Sequence, residues 1–426
     1  MKEDLLHFIW RCNKLQGRLL TTTTSQNIVI KNPGTLNRYA GPDFFNALVE
    51  VNGQLWAGNV EIHLKSSDWY AHHHELDSNY DNVVLHVVWE DDISVFRQDG
   101  TQIPTLELKT YVPASLLQRY QRLFQHYNPS FIKCEKDYSA IDSIFLTGIQ
   151  ERLYLERLEQ KSKLVLNLLE QTKNNWEAVL FQLLAKNFGT KLNGDMFLQA
   201  ASHLPYSIIR KERSDLLALE SLLFGQFGLL ESMDCSDAYY MQLKSQHQYL
   251  LQKHNLEPVK RGPEFFGLRP ANFPTIRISQ LANLYSIHQN LFSGLIVANE
   301  FKSIRKQLKV STSKYWRTRY TFGKLSKERT KTLSDKFIEL LIINTLIPLK
   351  FAYSKWRGLD WSDDLLQLVS TIKAERNSII TNFDLLGPPT KSALESQAKI
   401  QLYTQYCSKN KCLHCAIGTR LLNRNT

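Results

Sequence analysis

The chain has 426 residues, 43% of them hydrophobic, with 52 Lys and Arg against 41 Asp and Glu. That is enough apolar material for more than one packed core, and it argues against disorder. The net charge of +11 concerns partners, not fold, and favours polyanions: nucleic acid first, an anionic membrane surface second, with a basic protein lacking any such partner as the third reading.

The N-terminal stretch mixes acids and an arginine into its apolar pattern and offers no small-residue cleavage site, so it does not read as a signal peptide. The longest apolar run, 338–349, contains Glu339, Asn344 and Thr345, too short and too polar for a bilayer span. A cytoplasmic protein with no membrane partner is the expectation; oligomeric state is not legible. Six cysteines, three of them bunched near the C-terminus, do not form a disulfide pattern.

Apolar residues at helical spacing predict an amphipathic helix over residues 3–15. Residues 27–31 read as a strand ended by Asn32-Pro33-Gly34. Residues 45–51 alternate, Asn52-Gly53 follows, and 55–65 return, which predicts a hairpin. Ser67 or Asp68 can cap a short helix over 70–80. Residues 83–89 form a nearly continuous apolar run, as in a strand buried on both faces, and 105–108 can add another strand. After Pro113 the patterns are mostly helical, with clear examples at 114–127, 141–169, 176–188, 214–227 and 335–346. Residues 268–282 read as a Pro-rich loop entering a helix. The fold class is therefore an α/β N-terminal domain, a mixed sheet with flanking helices over residues 1–112, followed by a mostly α-helical region over 113–426. Whether that region is one domain or two stays open.

Side chains alternate along a strand, so Glu61, His63 and Lys65 share one face and Val60, Ile62 and Leu64 the other. Asp43 lies just before the partner strand, and the hairpin can bring its carboxylate to Glu61. Two carboxylates and a base are what a hard divalent cation such as Mg²⁺ or Mn²⁺ requires.

Pro42-Asp43 followed by Glu61-Ile62-His63, within an α-β-β-β-α-β order, resembles the PD-(D/E)xK nuclease superfamily. The resemblance implies that Asp43 and Glu61 hold Mg²⁺ or Mn²⁺ for phosphodiester hydrolysis. It departs where lysine is expected, two positions after Glu61, because His63 stands there; Lys65 can supply the ammonium instead. Across most of its length the chain also resembles a bacterial family of unknown function, through residues 41–44 (GPDF), 58–63 (GNVEIH), 273–277 (FPTIR) and the C-terminal cysteines. That second resemblance implies no activity.

His63, His72, His73, His74 and His86 are five of the twelve histidines, packed into 24 positions. On a helix over 70–80, His73, Asp77 and Tyr80 would share a face, where His73 and Tyr80 could touch phosphate. The rival reading is a His/Asp site for Zn, Mn or Fe. Cys407, Cys412 and Cys415 form C-x4-C-x2-C, the second half of which has the spacing of zinc and iron–sulfur ligands. Cys134, Cys12 or Cys235 could be the fourth ligand, Cys134 being preferred, and His414 is the poorest choice. Residues 302–331 hold eleven Lys and Arg against one acid, with Tyr315, Trp316, Tyr320 and Phe322 interleaved. Such a stretch can neutralise phosphates and stack on bases. Lys314, Arg317 and Arg319 are its candidate contacts, joined by Arg269 and Arg277 from the Pro-rich loop.

The sequence thus points to a metal-dependent nuclease-like protein acting on DNA or RNA. The alternative is a non-catalytic nucleic-acid-binding or scaffold protein with a degenerate nuclease core and a structural metal.

Overall fold

The apolar face predicted near the N-terminus forms helix α1 (Glu3–Arg11), which buries Leu5, Leu6, Phe8, Ile9 and Trp10. It ends earlier than the pattern suggests because Asn13 enters the left-handed region at φ +46°. The computed structural model describes residues 2–15, 19–37, 39–124, 131–232, 234–258 and 262–423.

Seven strands follow: β1 (Leu20–Thr21), β2 (Asn27–Asn32), β3 (Thr35–Leu36), β4 (Phe44–Val51), β5 (Gln54–Lys65), β6 (Val83–Glu90) and β7 (Thr105–Glu107). Asn52 and Gly53 take φ +50° and +85°, the double positive φ that lets a two-residue turn follow the strand twist. The sheet order is β1-β2-β4-β5-β6-β7, with β3 paired to β4. The pairs up to β4–β5 are antiparallel, whereas β6 runs parallel to β5 and β7 parallel to β6. The first six residues of β6 are buried, as a strand covered on both faces requires.

Two local features set the register near the acids. Asn46 takes φ +56°, and the β4–β5 register shifts between Phe44 and Ala47. This bulge absorbs one residue of β4, so Phe44 pairs with Val60 and the continuing register sets Asp43 opposite Glu61. Gly58 permits the approach of β6: a Cβ there would clash with the Val84 side chain and lie 2.7 Å from the Asn82 carbonyl oxygen.

The helix expected over 70–80 is interrupted. Helix α2 (Asp68–Ala71) is one turn long, and two 3₁₀ turns, His74–Leu76 and Ser78–Tyr80, follow. His73 sits at φ +60°, and Asp77 is extended with its carboxylate accepting from the Asn79 N–H. A left-handed residue and an extended one cannot continue a helix.

The chain divides into two compact units, Met1–Ala140 with Leu402–Thr426, and Ile141–Gln401. The division therefore does not fall at the expected 112/113 boundary. Helix α3 (Ala114–Phe124) stays with the sheet, and its Arg119 side chain donates to the Leu422 carbonyl at 3.0 Å. Helix α4 (Glu135–Tyr138) belongs to this unit too.

The second unit is helical. Its apolar periodicities become α5 (Ser143–Gln171), α6 (Trp176–Phe188), α7 (Thr190–His203), α8 (Tyr206–Glu212), α9 (Leu216–Gln226), α10 (Ala238–His254) and α11 (Pro274–Ile287), with shorter helices beyond. Asp142, Asn175, Asp215 and Asp237 cap four of them by accepting from first-turn N–H groups. Helix α9 is buried all round from Ala218 to Gln226, which marks it as the centre of that core. The apolar run expected over 335–346 extends through a π turn to Trp356. The resulting 22-residue helix has the length and apolar composition to cross a membrane, and 78% of its most apolar window is buried inside the protein.

Gly58→Ala should destabilise the sheet-bearing unit by about 1–3 kcal/mol, the usual range for overpacking, measured by urea unfolding. Gly100→Ala, at a turn where nothing lies within 4 Å of the added carbon, should cost less, through its positive φ alone.

Candidate functional site

One face of the sheet carries Glu61 and His63 from β5 and His86 from β6, with Glu61 and His86 as register partners. Helix α1 covers this face with Glu3 and His7, four residues apart and hence on one side of the helix. The irregular stretch after α2 covers it with His72, His74 and Tyr80. Glu61 and His63 are buried, His74 is half-buried and His72 is exposed, so the cluster opens to solvent at His72.

Asp43 and Glu61 clasp each other's backbone. The Asp43 N–H donates to Glu61 Oε2 at 3.0 Å, and the Ile62 N–H donates to Asp43 Oδ2 at 3.1 Å. His7 Nε2 lies 3.1 Å from the same Asp43 oxygen. The other Glu61 oxygen faces imidazoles, with Oε1 3.5 Å from His63 Nε2 and 3.3 Å from His74 Nε2. His63 Nε2 is also 3.2 Å from His72 Nδ1, while its Nδ1 meets His86 Nε2 at 2.9 Å. His63 and His74 stack at 5.3 Å between centroids, and His74 stacks on Tyr80 at 3.8 Å. Trp69 sets its ring edge-on to His74 at 5.4 Å, packing the cluster from the side.

Burial decides the charge states. It pushes His63 down to about 2, helped by the surrounding imidazoles, and His86 down to about 3. Both rings are therefore neutral, the form that coordinates a metal. Burial and the Asp43 charge raise Glu3 to about 7, and burial raises Glu61. For His7, burial works downward, but the hydrogen bond and charge of Asp43 outweigh it and the net shift is upward.

The donor atoms of His63, His72 and His74 all lie within 4.8 Å of one another. A tetrahedral ion with bonds of about 2.0–2.1 Å holds its ligands about 3.3–3.4 Å apart. Three separations, His63 to His72 at 3.2 Å, His74 to Glu61 at 3.3 Å and His63 to Glu61 at 3.5 Å, lie near that edge length. His63, His72 and His74 are thus the residues that could hold a metal, with Glu61 beside His63 and His74. His86 bonds the His63 nitrogen on the far side of the ring and so fixes the ring's orientation.

The structure revises several sequence expectations. Lys65 does not join the cluster: it is exposed at the strand end, with its ammonium 3.9 Å from Asp92. His73 is exposed, and its left-handed backbone takes it off the face it was expected to share with Tyr80. Tyr80 is buried and packs on His74 in place of phosphate. Glu3 and His7 were missed, although their spacing on an acidic first turn was a readable signal.

In the helical unit the basic candidates separate. Arg277 is buried, donating to Gln280 and Asn272 and lying 3.4 Å over the Phe337 ring. Arg319 is half-buried over Tyr315, 3.8 Å from Asp237. Trp316 is buried against Phe224. Those side chains build the core. Lys314, Arg317 and Arg269 are exposed.

Residues 3–378 match a family model described as "Protein of unknown function (DUF2851)". The chain belongs to that family. No curated protein and no solved structure matches it. The matched stretch contains the whole acid–imidazole cluster and the residues 273–277, and it ends before the C-terminal cysteines.

Asp43 carries structure as well as charge, because its carboxylate is the acceptor for a strand N–H. Asp43→Ala should cost about 1–3 kcal/mol, the range for orphaning a buried donor. Lys65→Ala should cost under about 0.5 kcal/mol, as for an ordinary surface site. Chemical denaturation of the two variants checks the contrast.

Proposed function

We propose that this protein is a metal-dependent hydrolase of phosphodiester bonds in nucleic acid, with a core of PD-(D/E)xK type. The observation that carries the reading is the convergence of Glu61, His63, His72 and His74 beside Asp43, in a buried cluster that opens to solvent at His72. The element order supports it: α1, three successive antiparallel strands β2, β4 and β5, a helical crossover, and β6 parallel to β5. Asp43, directly before β4, and Glu61 within β5 support it as well.

Nitrogen donors outnumber oxygen in this set, which favours Zn²⁺, Mn²⁺ or Fe²⁺ over Mg²⁺. Bound there, such an ion supplies Lewis acidity toward a phosphoryl oxygen and acidifies a water. The chain's own residues do the rest. Glu61, His63, His72 and His74 hold the ion; His86 fixes the ring of His63; Asp43 fixes the backbone beside Glu61. The role that lysine plays in the resembling nucleases falls to His7, whose pKa Asp43 raises against the effect of burial and which, when protonated, can give its proton to a departing oxygen.

The exposed cations Lys314, Arg317 and Arg269 are the proposed nucleic-acid contacts. A non-catalytic binding protein is the second reading, favoured by one observation: the Asp43 carboxylate is already engaged by the Ile62 N–H and His7.

Purified protein supplied with Zn²⁺ or Mn²⁺ should cleave single- or double-stranded DNA or RNA. His63→Ala, His72→Ala and Glu61→Gln should each reduce the rate by about 10- to 100-fold or more, the scale on which loss of a ligand's support already acts. His73→Ala and Lys65→Ala should leave it within a few-fold. Metal-loaded wild type that binds nucleic acid and cleaves none would favour the second reading, and a His63→Ala variant as active as wild type would remove the assignment.

Lys314→Glu with Arg317→Glu should weaken binding across all sequences. The slope of log K against log salt should fall by about 2, one for each phosphate no longer neutralised. An unchanged slope in fluorescence anisotropy titrations would place the interface elsewhere.

A further inference from the structure

Four cysteines meet in the sheet-bearing unit, away from the acid–imidazole cluster. Cys134 stands at the N-cap of α4, and Cys407 ends a π-helical turn, Tyr403–Cys407. Cys412 opens the 3₁₀ turn Cys412–His414, and Cys415 closes it. Packing draws these stretches together. Phe131 stacks on Tyr403 at 4.9 Å between centroids. The last helix, Ala416–Asn423, closes on the turn at Gly418, where any Cβ would collide with the Cys412 carbonyl. Cys134, Cys412 and Cys415 are buried, Cys407 is half-buried, and all four are thiols outside any disulfide. Cys134 stands near enough to Cys412 and Cys415 to interact with them electrostatically, and Cys407 near enough to all three.

Buried thiols gathered from three separate stretches are a metal-ligand set, and their spacing selects the occupant. One Zn²⁺ with bonds of about 2.3 Å draws four sulfurs to about 3.8 Å of one another. A cubane holds its four thiolates further apart, because each binds a different iron. Among the described residues, the three histidines bring their ligand atoms within 4.8 Å of one another, and no trio of these cysteines does.

We propose that Cys134, Cys407, Cys412 and Cys415 ligate a [4Fe–4S] cluster. The cluster ties residue 134 to the C-terminal segment, and its binding energy is folding energy for this unit. The clamp bears on the candidate site through α1. The Arg11 guanidinium at the end of that helix donates to the Leu413 carbonyl at 3.1 Å, within the cysteine-bearing turn, and the same helix carries Glu3 and His7. A protein without the cluster should seat α1 loosely.

The test is full-length protein, expressed with iron and purified without oxygen. Expected are about four iron and four acid-labile sulfide per chain, a broad visible absorption bleached by dithionite, and loss of both elements in Cys412→Ser with Cys415→Ser. His63→Ala with His72→Ala should keep iron and sulfide unchanged, which separates this site from the imidazole cluster. Wild-type analysis decides even if the serine variant fails to fold. Zinc without sulfide, neither metal, or full iron and sulfide in a folded serine variant would each overturn the proposal.

Discussion

A carboxylate buried on the face of a sheet is the constraint around which the first unit is arranged. An ionised acid taken from water carries a penalty that only paired charges or hydrogen bonds offset. Glu61 receives two compensations: the Asp43 N–H on one oxygen, and His74 on the other. Each of these needs a feature elsewhere. The Asp43 N–H arrives because the bulge at Asn46 shifts the register by one residue. His74 arrives because the crossover from β5 to β6 is broken at His73 instead of running as one helix.

The neutral rings of His63 and His86 follow from the same burial. His63, His72 and His74 gather beside the acid, and no ammonium stands among them. The strand presents His63 to the acid, while Lys65 stands exposed at Asp92. A site of imidazoles beside a carboxylate suits transition metals better than hard cations. His7 faces Asp43 from α1, a helix held in place partly by Arg11 on the C-terminal turn.

Much of the sheet was legible because its signals are local. Alternation with Asn52-Gly53 gave the β4–β5 hairpin, and the apolar run at 83–89 gave β6. The carboxylate pair was legible too, since hairpin geometry links residues at predictable register. The remainder depended on tertiary placement. The spacing over 70–80 predicts a continuous helix with His73 toward the site, but spacing does not reveal a left-handed residue, and His72 and His74 face the site instead. Glu3 and His7 lie far from the motif in sequence and arrive by helix docking. In the second unit, composition alone could not separate Arg277 and Trp316, which build the core, from Lys314 and Arg317, which meet solvent. The boundary at Pro113 marked a change of pattern and not of packing, because the C-terminal segment returns to the sheet-bearing unit.

The central claim is that the imidazole cluster beside Glu61 is a metal site. X-ray absorption at the zinc edge, on zinc-loaded wild type and on His63→Ala with His72→Ala, reads it directly. The account predicts a shell of nitrogen and oxygen at about 2.0–2.1 Å, with imidazole scattering, that the variant lacks. A shell made only of sulfur at about 2.3 Å, or a spectrum unchanged by the two substitutions, would contradict it.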